Sequence, residues 1–167
     1  MPDNVELKAR YPDHDQAQRI LRELGARPGG TERQIDTYFG VKNGRLKLRE
    51  IEGRDSELIY YRRVEDGSRR ECRYLLYRHP PCETLKELLA SALEVLCTVR
   101  KTREVYHLGE VKFNLDDVVD LGRFIEFEVR ADASGVEGAQ KKLVELRGRF
   151  GVGEEQVVLC SYSDMVG

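Results

Sequence analysis

The sequence lacks the clusters of cysteine and histidine that hold a structural metal or a disulfide framework. Its four cysteines are scattered, with no CxxC pair, and its three histidines share no metal-ligand spacing. This pattern argues against zinc-binding and disulfide-rich classes of protein and indicates free thiols in a reducing compartment. We accordingly expect a cytoplasmic protein.

An excess of charge of one sign is also missing. Charged residues make up 35% of the chain, yet the net charge is only −2. Because nucleic-acid-binding proteins usually carry a basic excess, we expect no nucleic-acid partner. No apolar run approaches the roughly 18 residues needed to span a bilayer, and the segment MPDNVELKAR is not typical of a signal peptide. We therefore expect no membrane association.

Internal repeats, low-complexity tracts and linkers are absent from the 167 residues as well. A chain of this length, with 40% apolar residues, can bury one substantial core but not two. We therefore predict a single domain over residues 1–167.

What the sequence does contain is a regular alternation of apolar and charged residues. Eight segments follow the two-residue period of a β-strand. Short links such as VKNG and EDGS favour antiparallel hairpins between them. The predicted strands cover residues 4–10, 34–40, 45–51, 57–64, 71–77, 97–108, 110–116 and 123–130.

Three further segments have the period of an amphipathic helix. The first is predicted to begin after an N-cap at Asp13 and to end at Gly25. The second has an apolar stripe from Leu85 to Leu96, and the third covers about residues 136–149.

The clearest alternation is the segment FIEFEV at residues 124–129. Successive side chains of a strand point to opposite faces, so Glu126 and Glu128 lie on one face about 7 Å apart. Ile125, Phe127 and Val129 lie on the other. An acidic face of this kind either faces solvent or belongs to a site.

Polar faces of both charge signs recur along the other strands. They face solvent on an open sheet, or the eight strands close into a barrel whose charged faces line a lumen. We predict the second arrangement, an α+β fold with an eight-stranded antiparallel closed β-barrel and helices packed outside. The lumen would then contain the acids Glu6, Asp36, Asp116, Glu126 and Glu128 and the bases Lys8, Lys47, Arg49, Arg63, Arg70, Lys101, Arg103 and Lys112.

Such a lumen has the chemistry of a site for a metal and a polyanion. Carboxylates suit a hard divalent cation such as Mg²⁺ or Mn²⁺. The more numerous Lys and Arg side chains suit phosphate oxygens, which Arg can grip in bidentate fashion. A triphosphate is the natural size of ligand for so many cations.

These motifs resemble the CYTH superfamily, also called triphosphate tunnel metalloenzymes, over nearly the whole chain. The family's N-terminal ExExK strand reads NVELK here, so that Glu6 and Lys8 match while Asn4 replaces the first Glu. The remaining matches, in order, are QIDTYF, LKLR, LIYYRR, RRECRY, VRKTREVY and VKFNLDDVVDLGRFIEFEV. In the last of these motifs Lys112 replaces an Arg of the family pattern and Asn114 replaces a His.

The resemblance implies an eight-stranded antiparallel tunnel in which a divalent metal helps to process triphosphates. It assigns metal binding to Glu6, Glu126 and Glu128, with Asp116 as a further acid near the metal. It assigns phosphate binding to Lys8, Lys47, Arg49, Arg63, Arg70, Lys101, Arg103 and Lys112. Of these residues, the ones implied to act directly in catalysis are Lys8, Lys101, Arg103 and Asp116.

The family's known activities leave several hypotheses open. We favour metal-dependent hydrolysis of a triphosphate, with ATP, thiamine triphosphate and tripolyphosphate as candidate substrates. Conversion of ATP to cyclic AMP by a class IV adenylate cyclase is the alternative. The replacement at Asn4 also keeps open a non-catalytic module that binds a phosphorylated ligand. A homodimer is among the oligomeric states that the sequence leaves open.

Overall fold

The computed structural model describes residues 3–66, 69–131 and 135–166, with the side chains of residues 3, 64–66 and 69–71 outside that description. Eight strands form one closed barrel, as predicted. They are β1 Asp3–Arg10, β2 Arg27–Phe39, β3 Arg45–Ile51, β4 Ser56–Asp66, β5 Arg69–His79, β6 Val95–Leu108, β7 Val111–Val118 and β8 Gly122–Arg130.

Every strand pair in the barrel is antiparallel, and the strand order is β1-β5-β4-β3-β2-β6-β7-β8. The first strand closes the barrel because it pairs with β5 on one side and with β8 on the other. In this register Glu6 lies opposite Glu128, and Lys8 lies opposite Glu126. Closure therefore brings the first and last strands of the barrel together at their charged positions.

Four α-helices accompany the barrel: α1 His14–Leu24, α2 Glu83–Ala92, α3 Gly135–Phe150 and the short α4 Tyr162–Val166. As predicted, Asp13 caps α1 by accepting a hydrogen bond from the Gln16 backbone N–H, and Gly25 ends the helix with a φ of 78°. Each helix in the described part of the chain is too short or too polar to cross a bilayer.

The larger hydrophobic cluster lies outside the barrel wall, between the strands and helices α1 and α3, and a smaller one that includes Val99 and Phe124 lies inside it. Phe113 and Phe127 project outward from β7 and β8 and pack with Phe150 of α3, with ring centroids 5.1 Å apart for Phe127 and Phe150. Leu21 of α1 and Leu143 of α3 belong to the same core. Because the apolar strand faces are used on the outside, the charged faces point inward.

The second helix differs from its prediction. It ends at Ala92, Leu93 already has an extended backbone, and Leu96 lies in β6. The start of β6 pairs with Phe39 of β2, so sheet pairing ends the helix before its apolar pattern does. No residue of α2 is buried, and Leu88 is 62% exposed.

The second strand begins earlier than predicted. The predicted strand covers residues 34–40, yet β2 starts at Arg27, in a run that contains proline and two glycines. A register shift between Pro28 and Gly30 accommodates these residues against β6. A β-bulge thus extends the strand through residues that usually mark a turn.

Candidate functional site

The charged strand faces line a cavity of about 400 Å³ inside the barrel. The structure brings together ten of the residues that the sequence singles out. They are Glu6, Lys8, Lys47, Arg49, Arg63, Lys101, Arg103, Lys112, Glu126 and Glu128. Arg70 lies in β5 opposite Glu6, but its side chain is outside the described residues.

The buried carboxylate of Asp36 organises three of the cations. Arg49 Nε and Nη2 each donate a hydrogen bond to it at 2.8 Å, and Lys101 Nζ donates at 2.7 Å. Lys47 Nζ lies 3.5 Å from the same carboxylate. Burial opposes the ionisation of Asp36, but these three cations outweigh it and hold the pKa well below its usual range. Asp36 is thus a fixed anion that positions cationic side chains in the lumen.

The two lysines beside Asp36 have weakened basicity. Burial lowers the pKa of Lys101 to about 8, although the attraction of Asp36 opposes this shift. Burial, aided by the charge of Arg49, places the pKa of Lys47 well below its usual value. Their positive charge therefore depends on the anions near them, including any anionic ligand.

Asp116 plays a similar part for Arg103. Arg103 Nε and Nη2 donate to its two oxygens at 2.7 and 2.8 Å, and the Tyr162 hydroxyl donates at 2.7 Å. Asp116 is fully buried and stands behind Arg103 rather than on the cavity surface. Since both oxygens already accept hydrogen bonds, Asp116 is better placed to orient Arg103 than to bind a metal.

The remaining acids, Glu6, Glu126 and Glu128, form an acid cluster on β1 and β8. The amide of Asn114 donates to Glu126 at 3.0 Å and to Glu128 at 3.3 Å. Burial raises the pKa of Glu128 to about 7. The positive charge of Lys112 opposes this shift, and the negative charges of Glu126 and Glu6 reinforce it. For Glu128, burial and the neighbouring carboxylates together outweigh the attraction of Lys112.

The donor atoms of this acid cluster fit a hard divalent cation. Buried oxygens of Glu6, Asn4 and Asn114 make no hydrogen bond, although Arg63 Nε lies 3.8 Å from the Glu6 oxygen. Carboxylate and amide oxygens are the ligands that Mg²⁺ prefers. Among the described residues, no three acids, histidines or cysteines already converge as a ready ligand set. The chemistry of the donors, rather than a preformed geometry, supports the fit.

One residue of the site was missed as a participant by sequence reasoning. Tyr162, at the start of α4, lies inside the barrel. Lys8 Nζ is 3.8 Å from the centroid of its ring, and the ring of Phe124 packs against it with centroids 5.0 Å apart. The ion pair between Arg45 and Asp164, at 2.9 Å, holds α4 against β3. The available signal was the tail segment SYSDMVG, which carries both Tyr162 and Asp164.

Comparison with known proteins identifies the family. The CYTH domain matches residues 3–162. The protein belongs to the CYTH family. This CYTH chain is 22% identical to "Putative adenylate cyclase MJ0240" of Methanocaldococcus jannaschii, with 98% of each protein covered.

Solved structures share the CYTH fold over nearly their full length. The PH1012 protein of Pyrococcus horikoshii has a TM-score of 0.88 at 28% identity, with 98% of this chain and 99% of that chain covered. HpAC1 from Hippeastrum, named as a putative adenylyl cyclase and described as having a dominant triphosphatase activity, has a TM-score of 0.68 at 15% identity. The comparison covers 91% of this CYTH chain and 89% of that one, and it shows the fold alone.

Replacing Asp36 by Asn tests its role as the organising anion of this CYTH barrel. We expect the free energy of unfolding to fall by about 3–5 kcal/mol, because the substitution leaves buried cations without their counter-charge. Urea denaturation at neutral pH measures the change. Asp117→Asn is the matched control, since Asp117 forms an exposed ion pair with Arg123 at 3.6 Å and should lose less than about 1 kcal/mol. Equal losses in the two variants would contradict this role.

Proposed function

We propose that this CYTH protein is a divalent-metal-dependent enzyme that hydrolyses a triphosphate inside its barrel. The observation that carries the proposal is that one cavity inside the barrel is lined both by the acid cluster and by a group of cations. We call that group the cationic cluster, and it comprises Lys8, Lys47, Arg49, Arg63, Lys101 and Arg103.

The cationic cluster has the properties of a phosphate-binding surface. Arg49 and Arg103 are held by bidentate hydrogen bonds to Asp36 and Asp116, so their guanidinium groups are oriented before a ligand arrives. Preorganised charges of this kind stabilise the charge that develops on a transferring phosphoryl group. Cations outnumber acids in the lumen, which favours a ligand with several negative charges. Lys112, and Arg70 by the family resemblance, would extend this surface.

Glu6, Glu126 and Glu128 would hold Mg²⁺ or Mn²⁺, with Asn4 able to contribute an amide oxygen where the family carries a carboxylate. A bound ion of this kind would polarise a phosphate oxygen as a Lewis acid. Lys8 is the member of the cationic cluster that adjoins the acids, because it is paired with Glu126 across the strands. Its ammonium group lies over the Tyr162 ring, 3.8 Å from the ring centroid. From this position its ammonium group would orient the phosphate chain next to the acids.

Cyclisation of ATP is the second candidate function, and the name of the Methanocaldococcus relative favours it. In that reaction the ribose 3′-hydroxyl would attack the α-phosphate and release pyrophosphate. Both reactions use the same phosphate-binding cations, so the lumen charges alone do not separate them. Hydrolysis needs only the phosphate machinery described above, and we favour it for that reason.

A substrate panel separates these functions. ATP, thiamine triphosphate and tripolyphosphate are each incubated with Mg²⁺ or Mn²⁺, and phosphate release and cyclic AMP are measured in parallel. Phosphate release without cyclic AMP supports hydrolysis, whereas cyclic AMP with pyrophosphate supports the cyclase. Binding of tripolyphosphate without turnover of any substrate would indicate the non-catalytic module and overturn the proposed enzyme.

Neutralising the acid cluster should abolish metal-dependent activity. For Glu126→Gln and Glu128→Gln we expect kcat to fall by at least about a hundredfold, because each variant removes a charged oxygen ligand. Calorimetric titration with Mn²⁺ checks that the loss follows metal affinity. Glu104→Gln is the control, because Glu104 hydrogen-bonds Gln18 away from the cavity. Unchanged Mn²⁺ affinity in both cluster variants would contradict the metal assignment.

The pKa of Lys101 predicts how phosphate binding depends on pH. Since this pKa is about 8 in the free protein, Lys101 loses its charge as the pH rises through 8. Binding of an anion must then take up a proton. We expect the affinity for tripolyphosphate to fall up to about tenfold per pH unit above that point.

Calorimetric titration with tripolyphosphate in the absence of metal measures this effect. The titrations are run between pH 6.5 and 9.5, a range chosen to bracket the pKa of Lys101. Lys101→Arg should move the fall in affinity to higher pH, because its guanidinium stays charged. Lys86→Arg provides the control, since Lys86 pairs with Glu50 outside the barrel. An identical pH profile for wild type and Lys101→Arg would contradict the prediction.

A further inference from the structure

One sector of the lumen wall departs from its charged character. Between the charged residues Glu57 and Arg63, the inward-facing positions of β4 and the paired positions of β5 are Ile59, Tyr61, Tyr74 and Leu76, all of which line the cavity. We call these four residues the apolar patch. Apolar side chains contribute little to the binding of phosphate oxygens, so the lumen is not built for a polyanion alone.

The strand register fixes the dimensions and place of the apolar patch. Ile59 pairs with Leu76, and Tyr61 pairs with Tyr74. Paired side chains lie about 5 Å apart across strands, and alternate residues lie about 7 Å apart along a strand. A rectangle of about 5 by 7 Å matches the face of a planar heteroaromatic ring.

The apolar patch begins directly beside the cationic cluster. Lys47 of β3 is the cross-strand partner of Ile59, so Lys47, Ile59 and Leu76 form one row across three strands. A group covalently attached to a phosphate held at Lys47 would therefore lie over Ile59 and Leu76. Along this row the wall changes from a cation to apolar side chains. An organic triphosphate changes in the same order, from phosphate to organic group.

Packing of the barrel itself does not account for the whole patch. Ile59 and Tyr61 are buried in an inner cluster that also contains Tyr38. Leu76, by contrast, faces the cavity and is still 38% exposed. An apolar side chain left uncovered inside a charged tunnel gains stability only when another apolar surface covers it.

We propose that the apolar patch binds the planar heteroaromatic ring of an organic triphosphate, so that organic triphosphates are preferred over tripolyphosphate. Nucleobases and the rings of thiamine share this chemistry. The inference rests on the proposed function, because it assumes that the phosphates occupy the cationic cluster. It adds the substrate class, which the charged residues leave open.

The test compares Leu76→Asn with Leu75→Asn. Leu75 is the neighbouring residue on β5; it is 56% exposed and does not line the cavity. The kcat/KM is measured for ATP, thiamine triphosphate and tripolyphosphate in both variants and in the wild type. For Leu76→Asn we expect about a tenfold loss with the organic substrates, as for removal of one apolar contact, and less than about a twofold change with tripolyphosphate. Leu75→Asn should leave all three values near those of the wild type.

The wild-type values also distinguish the two sources of the ring, because the organic substrate with the larger kcat/KM identifies which ring the patch prefers. An equal loss with tripolyphosphate, or wild-type turnover of tripolyphosphate at least as efficient as that of both organic substrates, would overturn the inference. Absence of turnover with every substrate would instead contradict the proposed function. In that case the Kd values for ATP, thiamine triphosphate and tripolyphosphate are measured by calorimetry in the same variants. The inference then predicts the same fold-changes in Kd as it predicts in kcat/KM.

Discussion

The structure depends on the burial of charge inside a closed barrel. A charged side chain is costly to remove from water unless another charge and hydrogen bonds compensate it. Asp36, which is fully buried, meets this requirement with three cationic side chains, and Asp116 meets it with Arg103 and Tyr162. These two carboxylates make a cationic lumen compatible with a folded protein.

The charged interior is possible because the larger hydrophobic cluster is on the other side of the wall. Phe113, Phe127 and their neighbours on β1, β7 and β8 pack against α1 and α3, so most apolar side chains of these strands lie on the face opposite the site. One consequence is that side chains in the lumen can be arranged for ligand chemistry. Another is that Leu76 differs from the buried side chains of the inner cluster, such as Ile59, because it lines the cavity and is still 38% exposed.

The period of the sequence predicted the strands and their two faces, whereas closure into a barrel was inferred from the charges on one face and from the family resemblance. Strict alternation in segments such as FIEFEV defined both faces of each strand, and closure confirmed that the charged faces point inward. The length of α2 was predicted wrongly, because pairing of Val95 with Phe39 is a contact between distant strands that local periodicity does not encode. Two contacts of the site were not predicted: the paired hydrogen bonds that Arg103 donates to Asp116, and the insertion of Tyr162 into the barrel. Both depend on the directions of side chains across the lumen, which the spacing of residues in the sequence does not define. The metal-binding and phosphate-binding roles of individual residues stay predictions.

Closure of the barrel by its first strand also has a kinetic meaning. Glu6 and Glu128 are paired across β1 and β8, so all the other strands of the barrel lie between two members of the acid cluster in the sequence. Contacts between such distant segments form slowly, because the entropy of closing a long loop must be lost before they are made. The acid cluster therefore does not exist in any partly folded species that lacks the β1–β8 pairing. Affinity for a divalent cation at this place would accordingly require the β1–β8 pairing, and it would report that the barrel has closed at this seam.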